Sequence, residues 1–70
     1  MVTYDPELIS TMRAALDDAM TQIPVEQATL EIKVRLAEFI LKAAADGQTT
    51  YELLLAAAAS QIQQVLSMLT

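Results

Sequence analysis

Cysteine, histidine and tryptophan are all missing from this chain of 70 residues, and glycine occurs once. Without cysteine there is no disulfide, and without cysteine or histidine the usual zinc ligands are gone. The same absences remove the commonest general base and the commonest activated thiol nucleophile. A single glycine leaves no material for a glycine-rich phosphate loop. Asp17 and Asp18 are adjacent, so on a helix they diverge by about 100° and form no close carboxylate pair. No acidic cluster has the loop spacing of a calcium or magnesium site. These residues predict no catalytic site, no metal site and no cofactor. The expectation is a protein that is not an enzyme.

Positive charge is scarce as well. Arg13, Lys33, Arg35 and Lys42 stand against nine acidic residues, for a net charge of −5 and a pI near 4.2. Such a chain is repelled by nucleic acid and by anionic lipid. A helix, a short "GQT" turn and a second helix resemble helix-turn-helix connectivity. The second of these helices, however, offers glutamines and serines and no cation to meet phosphate. DNA binding is therefore the least favoured of the binding readings. The start "MVTYDPEL" has no basic stretch followed by an apolar one, so no secretory signal is expected. A cytoplasmic location fits the lack of cysteine.

Apolar residues, by contrast, are plentiful: 54% of the chain, with 19% charged and a mean hydropathy of +0.38. One domain over residues 1–70 is expected. A chain this short buries about 60% of the surface its unfolded form exposes. Its core rarely yields more than ~3–5 kcal/mol, so small folds lean on disulfides, metals or self-association. With the first two excluded, self-association is the staple that remains.

The punctuation predicts three helices, about 6–22, 30–46 and 50–69. Asp5 as cap, Pro6 at the first helical position and Glu7 near the positive dipole end open the first. Tyr4 and Ile9 have the spacing of a hydrophobic staple. Leu8, Met12, Ala15, Leu16, Ala19 and Ile23 define its apolar side, and Pro24 ends it. Pro24 could also open a brief helical turn within "PVEQA". The second helix starts with Thr29 as cap and Glu31 in its first turn. It stops at Gly47, with Lys42 in its closing turns. For the third, Thr49 and Glu52 have capping-box spacing.

Two stretches, "DPELISTMRAALDDA" and "VRLAEFILKAAADG", resemble short alphaproteobacterial proteins of unassigned function. In these an Asp-Pro-Glu helix start precedes a leucine–alanine–glutamate helix that ends at a glycine. The resemblance covers most of the span from Tyr4 to Gly47. Where such proteins often open the next helix with Asp-Pro, this chain has "TTYE". The resemblance implies a bacterial cytoplasmic origin and a helical fold. It brings no activity, ligand or site residue.

Helix two is apolar over most of its circumference. Ile32, Leu36, Phe39, Ile40 and Ala43 form one side; Leu30, Val34, Ala37, Leu41 and Ala44 form a second. A narrow ridge of Glu31, Arg35, Glu38 and Lys42 remains polar, each glutamate four residues before its cation in the favourable order. Lys33, beside an apolar side, reads as solvated. Such a helix needs cover on two sides, and helices one and three of the same chain are expected to supply it.

The last segment, "YELLLAAAASQIQQVLSMLT", is long enough to cross a bilayer. It carries Glu52 at one end, five Ser and Gln residues from Ser60 onward, and no flanking cation. A membrane span is not expected. On a helical wheel Tyr51, Leu55, Ala58, Ala59, Ile62, Val65, Leu66 and Leu69 form one stripe, with Ser60, Gln63, Gln64 and Ser67 opposite. This is an amphipathic helix. Leu53 falls on its polar side with Ala57 following, and Leu54 and Met68 flank the stripe.

The sequence thus predicts an all-α three-helix domain acting as a non-catalytic protein–protein interaction module, self-associating as a homo-oligomer. A two-fold dimer is the favoured form. The expected contact residues are Leu53, Leu54, Ala57, Ile62, Val65, Leu66 and Leu69. The alternative is a monomeric regulatory adaptor that binds another protein through helix two or helix three. A small-ligand carrier would need a cavity between the helices.

Overall fold

In the computed structural model, which describes residues 4–68, the chain folds as an all-α domain. Helix α1 spans Pro6–Met20, α2 Leu30–Ala45, α3 Tyr51–Ala59 and α4 Ile62–Met68, with a 3-10 turn over Val25–Gln27. The third helix expected from the sequence is present as α3 and α4, parted at Ser60 and Gln61. Leu69, the last residue of the expected stripe and of the expected contact set, lies outside the described residues.

Each boundary has a local cause. Asp5 is extended, and its carboxylate oxygen accepts the Leu8 N–H at 2.7 Å. Pro6 follows at the first helical position, where a missing N–H costs nothing. Helix α1 ends at Met20, two residues earlier than expected. The next three amides reach back only three residues, Thr21 to Asp18, Gln22 to Ala19 and Ile23 to Met20. This tightened exit keeps Ile23 buried while it turns the chain toward Pro24, which disfavours helical backbone before it.

Thr29 caps α2 through its hydroxyl, which accepts the Ile32 N–H at 3.3 Å. Gly47 closes the other end with φ +97°. The Gln48 N–H reaches the Ala43 carbonyl and the Gly47 N–H the Ala44 carbonyl, both at 3.0 Å. This is a Schellman closure, and a side chain at a positive φ would strain it. Thr50 rather than Thr49 caps α3, accepting the Leu53 N–H at 3.3 Å. The expected capping box of Thr49 and Glu52 does not form: Gln48 lies within the Schellman turn, helix resumes only after extended Thr50, and Glu52 then stands at the second helical position with Leu53 at the third.

The break between α3 and α4 also has a donor behind it. The Ser60 hydroxyl donates to the Ala57 carbonyl at 2.9 Å, and the Gln61 N–H goes to Ala58 three residues back. A serine that bonds a nearby carbonyl competes with the helix ladder. The helix restarts when the Val65 N–H reaches Gln61.

Helices α1, α2 and α3 each pack against the other two, and α4 packs against α2. The core is built from Leu8, Met12, Ala15, Ala19 and Ile23 on the first helix and its exit, and Ile32, Leu36, Ile40, Ala43 and Ala44 on α2. Leu54, Ala58, Ile62 and Val65 complete it. Leu36, Ile40, Leu54 and Val65 are the largest side chains in full burial. Burying each is worth about 1.5–3 kcal/mol. Among the described residues no polar or charged side chain is buried, and no helix is long and apolar enough to cross a membrane.

Neighbours Leu53 and Leu54 divide sharply, at 48% and 0% exposure. Leu54→Ala should cost about 2–5 kcal/mol by analogy with buried leucine truncations, most of what a core this size provides. Leu53→Ala should change stability by no more than about 0.5 kcal/mol. Urea denaturation followed by circular dichroism measures both; equal losses would mean that the buried side of α3 is drawn wrongly.

Candidate interaction surface

The apolar surplus lies on α1 and α2. Leu30, Val34, Ala37 and Leu41 follow one another at steps of four, three and four along one side of α2. Leu30 is 76% exposed, Val34 50% and Leu41 49%, while Ala37 is half-buried. Toward α1 this stripe runs into an open cleft of about 350 Å³, lined by Tyr4, Ile9, Met12, Arg13, Leu16, Ala37, Ile40 and Leu41. Tyr4 and Ile9, the pair with staple spacing, both border this cleft and remain exposed. Its one charged wall residue is Arg13.

Only half of the cover expected for α2 is therefore present. The side with Ile32, Leu36, Ile40 and Ala43 is buried as predicted, and Ala44 joins it from the second side. The rest of the second side has no helix over it. The reason is architectural: α3 sits in contact with both α1 and α2, so it fills the one groove they share and leaves the other open.

That same arrangement consumes most of the contact residues expected on the last helix. Leu54, Ile62 and Val65 are buried in the core of their own chain, which leaves nothing of them for a partner. Ala57 and Leu66 are half-buried against that core. Of the expected set within the described residues, Leu53 alone is exposed. The structure does not gather these residues into one outward patch. Leu30, Val34 and Leu41, which do form one, belong to the second apolar side of α2 visible in the sequence.

Charge frames this surface. The ridge residues Glu31, Arg35, Glu38 and Lys42 run alongside the stripe, all exposed. Leu30, Glu31, Val34, Arg35 and Glu38 share a shallow hollow. The glutamate–cation pairs expected within the ridge are not closed: among the described residues the ion pair present joins Lys33 Nζ to Asp17 Oδ1 at 3.8 Å. Lys33 thus reaches a carboxylate on α1 rather than water alone. With both groups well exposed this pair contributes ~0–1 kcal/mol. All four cations of the chain sit on α2 or, as Arg13, in the wall of its cleft. On α2 itself Lys33, Arg35 and Lys42 outnumber Glu31 and Glu38.

One polar contact ties α3 to α1: the Tyr51 hydroxyl donates to Oδ2 of Asp18. No family model, no curated protein and no solved structure matches the chain.

The Tyr51 phenol is held above the ordinary tyrosine value of 10.0, first by the hydrogen bond that the Asp18 carboxylate accepts from it, then by burial, with the charges of Asp18 and Glu52 acting in the same direction. A raised folded value favours the protonated form. The stability this bond supplies is complete below the unfolded tyrosine value and is lost as pH rises through the folded one. In a Tyr4→Phe background, absorbance titration should show Tyr51 ionising later than free tyrosine, and Asp18→Asn should bring it back toward 10. An unchanged titration in Asp18→Asn would mean the bond is absent in solution.

Proposed function

We propose that this protein is a non-catalytic interaction module that self-associates through the apolar side of α2 and the adjoining cleft with α1. The observation that carries this reading is the run of Leu30, Val34 and Leu41, half to three-quarters exposed on one side of one helix. Scattered exposed leucines are ordinary, but a contiguous apolar strip marks an interaction site.

Charge supports a second copy as the occupant. The chain carries −5 overall, so most approaches of one molecule to another bring acid against acid. The α2 side is the exception: with Lys33 engaged by Asp17, its ridge carries two cations against two carboxylates, and Arg13 lies close by. Contact there is the orientation that like molecules tolerate best. The surface differs from the contact expected on the last helix, where Leu54, Ile62 and Val65 are buried in the core of their own chain.

Magnitudes place the affinity. Covering a large apolar side chain completely is worth about 1.5–3 kcal/mol, and these are already part-covered. Three of them, contributed twice in a two-fold dimer, give a gross gain of the same order as the ~4–15 kcal/mol cost of association. The two nearly cancel, so the dimer is weak and forms only as concentration rises.

Sedimentation equilibrium should show a mass rising toward twice 7.6 kDa as concentration increases. Leu41→Glu should weaken the dimer at least about tenfold with helicity retained, whereas Leu53→Glu, on α3, should leave it intact. A strict monomer at hundreds of micromolar would sink this reading and leave the adaptor, in which the same surface receives a different protein.

A further inference from the structure

The ridge beside the apolar stripe reads −, +, −, + along α2: Glu31, Arg35, Glu38, Lys42. Reversing that order gives +, −, +, −, its own complement. We infer that two copies of this chain dock α2 against α2 in antiparallel register, so that Glu31 faces Lys42 of the second copy and Arg35 faces Glu38. This rests on the self-association proposed above and specifies its geometry.

Three observations converge on that register. First, the four charges are exposed and, among the described residues, form no ion pair, so each can meet a group across an interface. Second, an antiparallel two-fold keeps the ridge of one copy on the same flank as the ridge of the other and satisfies all four charges. A parallel two-fold, whose axis runs along the helices, would put the two ridges on opposite flanks, where these charges do not meet. Third, the apolar stripe obeys the same symmetry: Leu30 meets Leu41 of the second copy and Val34 meets Ala37. The two-fold point implied by the stripe lies within one residue of that implied by the ridge, about 1.5 Å along the axis. Stripe and ridge were free to disagree by up to half a helix. Small Ala37 opposite Val34 also lets the helices approach closely at the centre.

The ladder gives orientation more than affinity, since exposed ion pairs contribute little each while like charges placed opposite one another discriminate against the wrong register. An antiparallel register slipped by four residues sets Glu31 against Glu38 or Arg35 against Lys42, and a parallel dimer leaves the two ridges unpaired.

A mixing experiment separates the possibilities. The quadruple variant E31K/R35E/E38R/K42E inverts every ridge charge yet keeps each opposite-charge pair along its own helix. In antiparallel register it is complementary to itself, and each of its charges meets a like charge on the wild-type chain. Equal amounts of the two proteins, with the wild type isotope-labelled, should give both homodimers in native mass spectrometry, and the mixed dimer at least about fivefold below the statistical share. A predominant mixed dimer would show a slipped antiparallel register in which like charges face each other, and a statistical mixture would show ridges that do not meet, as in a parallel dimer. Either overturns the ladder while self-association stands. Absence of dimers in wild type and variant alike would remove the self-association reading and the ladder with it. Should the quadruple variant not fold, single cysteines decide the matter, because the native chain has none. With Glu31→Cys and Lys42→Cys proteins mixed, a short thiol crosslinker should join 31 to 42 in preference to 31 to 31 or 42 to 42. Preference for the like pairs would overturn the antiparallel arrangement.

Discussion

Burial of Leu36 and Ile40 along the inner side of α2 is the contact on which the remaining structure depends, because α1, α3 and α4 all pack against this helix. Once α3 settles into the groove that α1 and α2 share, no described element lies over the opposite side. The exposed strip of Leu30, Val34 and Leu41 is thus a geometric remainder of the same packing that forms the core. Interior and interface are two sides of one helix here, set about a third of a turn apart.

Much of this was legible in the chain. Asp5-Pro6-Glu7, Thr29 and Gly47 each fix a helix end by chemistry that acts over three or four residues, so local reading suffices. The two apolar sides of α2 were equally plain, since a period of 3.6 sorts its residues without ambiguity. Which of those sides would be covered was not, because cover comes from elsewhere in the chain. The sequence suggested an α2 with helices on both apolar sides; the observed α3 contacts α1 as well and so cannot also lie over Leu30 and Val34.

The last helix shows a different limit. "YELLLAAAA" is apolar almost all round, so a wheel cannot rank its sides: Leu53, Leu54 and Leu55 alone sweep about 200°. The expected stripe holds Ala58, Ile62 and Val65, which are buried, but it also runs through half-buried Tyr51 and Leu55 and passes by Leu54, which is buried completely. Leu54 thereby moves from an expected contact residue to the centre of the core. The interruption at Ser60 was hidden too, because serine is tolerated within helices and only its hydroxyl's choice of the Ala57 carbonyl decides the outcome.

The composition of the interior has one more consequence. Ala15, Ala19, Ala44 and Ala58 show no exposure at all. With no buried polar group among the described residues to pin one arrangement by hydrogen bonding, the unique fit is set by where bulk is absent. Evolutionary drift should therefore be lopsided in this protein: leucine, isoleucine and valine can trade places at modest cost, while the four alanines admit nothing larger without forcing the helices apart.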